Sequence, residues 1–126
     1  MIRFALPFFL AVLALTTARP AAAIDHCANA NTTVELSECA VANYKDADQV
    51  LNQTYAAFKK TLDAQGAKLL LEAQRAWIKF RDANCEVVAD SGRGGTLVAM
   101  LTTNCLADMT TARAKELSEQ AKGLGN

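Results

Sequence analysis

Four cysteines, Cys27, Cys39, Cys85 and Cys105, lie downstream of an apolar leader, and that combination restricts the fold more than any other feature of the chain. An even number of cysteines in an exported chain points to two disulfides. The competing reading, a zinc site, has no C-x-x-C pair and no second histidine beside His26, so neither a metal nor a cofactor is expected. A cross-link closing a loop of roughly 15 residues contributes about 3 kcal/mol in the chain-entropy model. Two such links carry real weight in a small domain.

The leader itself reads as an address. Met1-Ile2-Arg3 supplies a positive charge, Phe4 to Leu15 is apolar, and Ala21-Ala22-Ala23 presents small residues at the cleavage positions. This is the pattern of a secretory signal over 1–23, cleaved after Ala23. The apolar run is too short for a membrane span, which needs roughly 20 residues. Cys27 follows Ile24-Asp25-His26 rather than the small residues a lipoprotein signal requires, so no membrane attachment is expected after cleavage. The remaining 24–126 is one small domain. Arg3 and Arg19 leave with the signal, which tips a balance of 13 basic against 13 acidic residues slightly to the acidic side. Such a balance excludes a nucleic-acid binder and suits, weakly, a basic partner.

Periodicity makes the domain all-α. Thr32 and Glu35 have the spacing of a capping box, and from Cys39 or Ala40 through Tyr44, Ala47, Leu51, Tyr55, Phe58 and Leu62 apolar residues recur at steps of three and four. A first helix is therefore predicted to about Asp63, ended by Gln65-Gly66. A second is predicted from about Ala67 to Val88, with Leu69, Leu70, Ala73, Trp77, Phe80 and Val87 inward. Its stretch Ala73 to Cys85 holds the lone tryptophan and serves as the keystone of the bundle. Three glycines in Gly92-Arg93-Gly94-Gly95 end it. A third helix follows to about Lys122, with Leu97, Val98, Leu101, Cys105, Met109, Ala112 and Leu117 as its stripe. The expected fold is a small antiparallel three-helix bundle stapled by two disulfides. That topology gathers the cysteines toward one end and permits more than one pairing. Cys27 with Cys39 and Cys85 with Cys105 is favoured because each closes a local loop.

Catalytic constellations are poor. His26 has no nucleophile beside it and reads as a solvated histidine, while oxidised cysteines leave no thiolate. The carboxylate pairs Glu35 with Glu38 and Asp82 with Glu86 share helical faces, an arrangement more often solvated than catalytic. No catalytic residue is assigned, and the chain is read as a non-enzyme. The Ser91 to Gly95 loop is the exposed feature with the most to offer a partner: Ser91, the forked guanidinium of Arg93 and backbone N–H groups around Gly94 and Gly95 suit a carboxylate. Its plainer use is as a connection between helices. Asn52, Arg81 and Arg113 adjoin the apolar stripes and are expected, with Tyr55 and Trp77, to tie helices together, Asp48 and Asp82 serving as partners.

The residues Asp48-x-x-Leu51-Asn52-x-x-Tyr55, then Gln74-x-Ala76-Trp77-Ile78-x-Phe80-Arg81-Asp82-x-x-Cys85, a Gly-Gly step, Cys105, and Thr110-x-x-Arg113-x-x-x-Leu117 resemble the LprI family of exported bacterial proteins. The resemblance spans nearly all of 24–126. It implies a disulfide-linked helical domain of the periplasm or the secreted fraction, and the leading functional expectation is a binding protein that inhibits lysozyme-type muramidases by blocking their cleft. The alternative is a non-catalytic envelope adaptor that recognises another protein through a helix face.

Overall fold

The computed structural model describes residues 25–123; the expected export signal over 1–23 lies outside them. Three α-helices follow one another, α1 (Thr33–Lys60), α2 (Ala64–Ala89) and α3 (Val98–Gly123), with a single 3-10 turn, Asp90–Gly92, before α3. The short connections make α1 and α3 run in the same direction and α2 against both. Strands are absent among the described residues. The disulfides join Cys27 to Cys39 and Cys85 to Cys105, so the two local loops are the ones closed. Both lie at the end of the bundle where α1 begins and α2 ends. No described helix is long and apolar enough to cross a membrane.

The first helix starts as its sequence dictates. The Thr32 hydroxyl accepts from the Glu35 N–H at 3.2 Å, and the Glu35 carboxylate accepts from the Thr32 and Asn31 N–H groups at 3.0 and 2.8 Å. Those donors hold the Glu35 carboxyl below its ordinary value of 4.5, the Asn31 N–H having the larger effect.

The boundary between the first two helices differs from expectation. α1 stops at Lys60, and Gly66 does not close it. Asp63 is the N-cap of α2, its carboxylate accepting from the Gly66 N–H at 2.7 Å, which places Gly66 in the first turn. A Cβ on Gly66 would stand 3.2 Å from both that carboxylate oxygen and the Leu62 Cβ. The glycine therefore serves close approach at a helix start rather than a left-handed helix end.

The inward face of α2 also differs. Leu70, Trp77, Arg81, Cys85 and Ala89 point into the bundle, with Gln74 and Asn84 half-buried beside them. Leu69, Ala73, Phe80 and Val87, expected inward, are exposed, Phe80 at 60% and Val87 at 74%. The helix carries two stripes with the same periodicity, and the one that faces the core contains Arg81, Gln74 and Asn84. An apolar count favours the other stripe and so misjudges the rotation. Leu97, just ahead of α3, and Ala112 within it are likewise exposed rather than inward.

α1 packs most extensively against α3, and α1 and α2 approach each other least. Ala40 and Ala47 on α1 and Ala107, Thr110 and Ala114 on α3 are buried, and such short side chains let two backbones come close. Toward the α1–α2 turn the core is made of larger groups: Leu51, Phe58, Leu70 and Leu117, with Tyr55, Leu62 and Trp77 against them. Tyr55 buries its hydroxyl oxygen there with no hydrogen-bond partner among the described residues.

Candidate functional site

The Ser91 to Gly95 connection is built from the helix end upward. Ser91 donates its hydroxyl to the Val88 carbonyl at 2.9 Å, satisfying one of the acceptors left open where α2 stops. Gly92 lies against α3: a Cβ there would come within 2.9 Å of Leu101 Cδ1. The chain then reverses, with the Gly95 N–H donating to the Gly92 carbonyl at 2.9 Å and Gly94 at φ 79°. This is a type II turn, and its third position needs the positive φ that glycine tolerates. Arg93 occupies the outer corner.

The Arg93 side chain is 80% exposed yet not loose. Its Nε donates to one Asp90 oxygen at 2.7 Å and Nη2 to the other at 2.8 Å, a two-point grip of a carboxylate from the same loop. Nη1 is not part of that pair. Beside it runs a shallow groove of about 340 Å³ bordered by Glu86, Ala89, Asp90, Arg93, Gly94, Val98 and Thr102. The groove wall is more acidic than a reading of Arg93 alone suggests, since Glu86 and Asp90 both border it. Of the N–H groups expected to face outward, that of Gly95 is consumed by the turn. Asp90 was the missing piece, and its spacing of three residues from Arg93 across a helix end was the available signal.

The other residues singled out from sequence fall in different places. Arg81 and Arg113 are buried and gather around Trp77, their guanidinium carbons 5.3 and 5.8 Å from its ring centroid, with Tyr44 5.7 Å from Arg81. Arg81 also reaches Asp82 at 2.8 Å and donates to the fully buried Thr110 hydroxyl at 3.3 Å. Arg113 pairs with Glu116 at 2.8 Å and donates to Gln74 at 3.2 Å. The two arginines and Trp77 thus link α2 to α3 through hydrogen bonds and cation–π contacts. Asn52, expected as an internal tie, is instead exposed and donates only to Asp48 of its own helix at 3.0 Å. His26 lies within 2.7 Å of Asp46, a contact that periodicity had no means of revealing, and among the described residues no free thiol accompanies them. Among the described residues no group of acidic, histidine or cysteine side chains has the arrangement of a metal site.

This helical domain, with its paired cystines and its Trp–Arg centre, is matched over residues 24–117 by the family model described as lysozyme inhibitor LprI. The chain belongs to the LprI family. It is also 40% identical over 112 residues to an uncharacterized protein of Rhizobium meliloti (strain 1021), the match covering 76% of this chain and 81% of that relative. No solved structure matches the chain. The family is described as one of lysozyme inhibitors, and the two cystines of this chain fit an extracytoplasmic address.

Proposed function

We propose that this LprI-family chain is a periplasmic or secreted inhibitor that binds lysozyme-type muramidases and blocks their cleft. The observation that carries the reading is the family match across 24–117, which takes in α1, α2, most of α3 and both disulfides. The Ser91 to Gly95 loop is the part that enters. Muramidases of this kind cut with two carboxyl groups in a cleft. Arg93 exchanges its two-point contact with Asp90 for a cleft carboxylate, so the guanidinium keeps its charge-assisted bonds while Asp90 is released to water. Ser91 and the Gly94–Gly95 corner form the rest of the contact. Glu86 and Asp90 face basic groups on the enzyme rim, the complementarity expected toward a basic lysozyme.

The test is lysis of peptidoglycan by several lysozymes with oxidised 24–126 titrated in. Saturable inhibition is expected, lost after reduction and alkylation. Arg93→Ala is expected to weaken it about tenfold or more, as for an interface arginine, with unchanged helix content. Full inhibition by Arg93→Ala removes the loop from the mechanism. No inhibition of any lysozyme by a folded chain removes the proposed function and favours an envelope adaptor.

A further inference from the structure

The lead-in ahead of α1 has chemistry of its own. Cleavage after Ala23, as the leader pattern predicts, makes Ile24-Asp25-His26 the first three residues of the exported chain. A free amino group with histidine as the third residue offers four nitrogens in succession: the amine, the backbone nitrogens of the second and third residues, and imidazole Nδ1. Around one ion they close two five-membered chelate rings and one six-membered ring, with all four nitrogens in a plane. That plane suits Cu(II), which prefers tetragonal nitrogen ligation and heads the affinity order of the divalent first-row metals. Zinc, with its tetrahedral preference, does not fit it.

The fold supplies what a loose tripeptide lacks. Cys27 is joined to Cys39 of α1, so His26 stands one residue from a covalent anchor. Its Nε2 lies 2.7 Å from an Asp46 carboxylate oxygen on the same helix. An ionised carboxylate only accepts, so Nε2 carries the hydrogen, and in the neutral ring Nδ1 is the nitrogen with the free lone pair. This is the tautomer the chelate requires. A carboxylate on the distal nitrogen of a ligating imidazole also fixes the ring and raises its basicity, as in other metal sites. At 33% exposure the His26 side chain is open to an incoming ion. The missing cluster of acidic, histidine or cysteine side chains is no obstacle, because three of the four nitrogens belong to the backbone. One contact must yield: the His26 N–H donates to Asn43 Oδ1 at 3.1 Å, and that bond is lost when the metal replaces the proton. The Asp25 carboxylate accepts from the Cys27 N–H at 2.9 Å and is not needed as a ligand.

We infer that the N-terminus of the exported chain is a Cu(II) site, formed by the Ile24 amine, the backbone nitrogens of Asp25 and His26, and His26 Nδ1, with Asp46 as a positioning residue. On binding, the two backbone N–H groups, and the amine where it is protonated, release their protons to the buffer as the four bonds to copper form. The metal stays Cu(II) throughout, so no electron donor or acceptor is involved. The site rests on cleavage after Ala23 and is independent of the Ser91 to Gly95 loop.

The experiment expresses the full chain with its leader in a bacterial host, collects the exported protein, reads its N-terminus by mass spectrometry and titrates copper(II) sulfate into it at neutral pH. A chain beginning at Ile24 is expected, binding one equivalent of Cu(II) with the visible and electron paramagnetic resonance spectra of a square plane of four nitrogens. His26→Ala should abolish that signature. So should one extra residue placed ahead of Ile24, which makes His26 the fourth residue and leaves every side chain in place. Both changes precede α1, so helix content by circular dichroism should stay as in the parent. Asp46→Ala should keep the four-nitrogen spectrum but weaken copper about tenfold in competition with glycine, the effect of removing a carboxylate from behind a ligating histidine, and Asp46→Glu should restore it. An N-terminus other than Ile24 overturns the inference, as does a copper spectrum that survives the extra residue. Equal affinity in Asp46→Ala overturns the positioning role of Asp46.

Discussion

The two ends of the bundle are held by different means. At the α1–α2 turn the chain is not cross-linked, and Leu51, Phe58, Leu70 and Leu117 pack into a continuous apolar cluster. At the opposite end the buried residues of α1 and α3 are mainly alanine and half-cystine, Ala40, Cys39, Cys105 and Ala107, and both disulfides lie there. Short side chains bury little apolar area, so covalent closure compensates where the hydrophobic effect is weak. The Ser91 to Gly95 loop and the lead-in with His26 both spring from the cross-linked end. A loop that carries polar side chains outward contributes little burial of its own, and the disulfide between Cys85 and Cys105 fixes the helix ends on either side of it.

The largest expected effect tests the apolar end. Leu117 is fully buried in the cluster, and Leu117→Ala should cost about 4 kcal/mol in chemical denaturation, near the upper part of the range for leucine truncations. Next comes the cross-linked end: replacing Cys85 and Cys105 together by alanine should cost about 3 kcal/mol, read the same way. Combining the two sets of changes sharpens the comparison. If the ends are energetically separate their costs add, and a sum that departs by more than about 0.5 kcal/mol couples them. The smallest effect concerns the start of α1. Glu35 has a lowered folded-state pKa, so its contribution to stability is present above its unfolded value of 4.5 and is lost as pH falls through the folded value. Glu35→Gln should therefore flatten the fall of Tm below pH 4.5 while lowering Tm slightly at neutral pH. An unchanged acid slope would separate the capping box from acid stability.

Much of this architecture was legible in local patterns. The Thr32–Glu35 capping box, the glycine break after α2, and the local cysteine pairs each depend on residues close in sequence. The errors have a common cause. Gly66 suggests a helix end from sequence because glycine is permissive in several roles, and only the Asp63 carboxylate on its N–H shows which role applies. Phe80 and Val87 suggest core positions because they are apolar, while Arg81 is the residue that faces inward. A guanidinium can be buried when Asp82, Thr110, Trp77 and Tyr44 surround it, and those partners come from three helices.

The sequence by itself determined the helices, their approximate number and length, and the kind of cross-link, because helix periodicity, caps and cysteine chemistry are set within a few turns of chain. Which stripe of α2 faces the core, where Arg93 finds its carboxylate, and which apolar surface is left outside were decided only by tertiary packing. The physical reason is that α2 carries two stripes of equal periodicity, and the choice between them rests on hydrogen bonds and ring contacts supplied by α1 and α3.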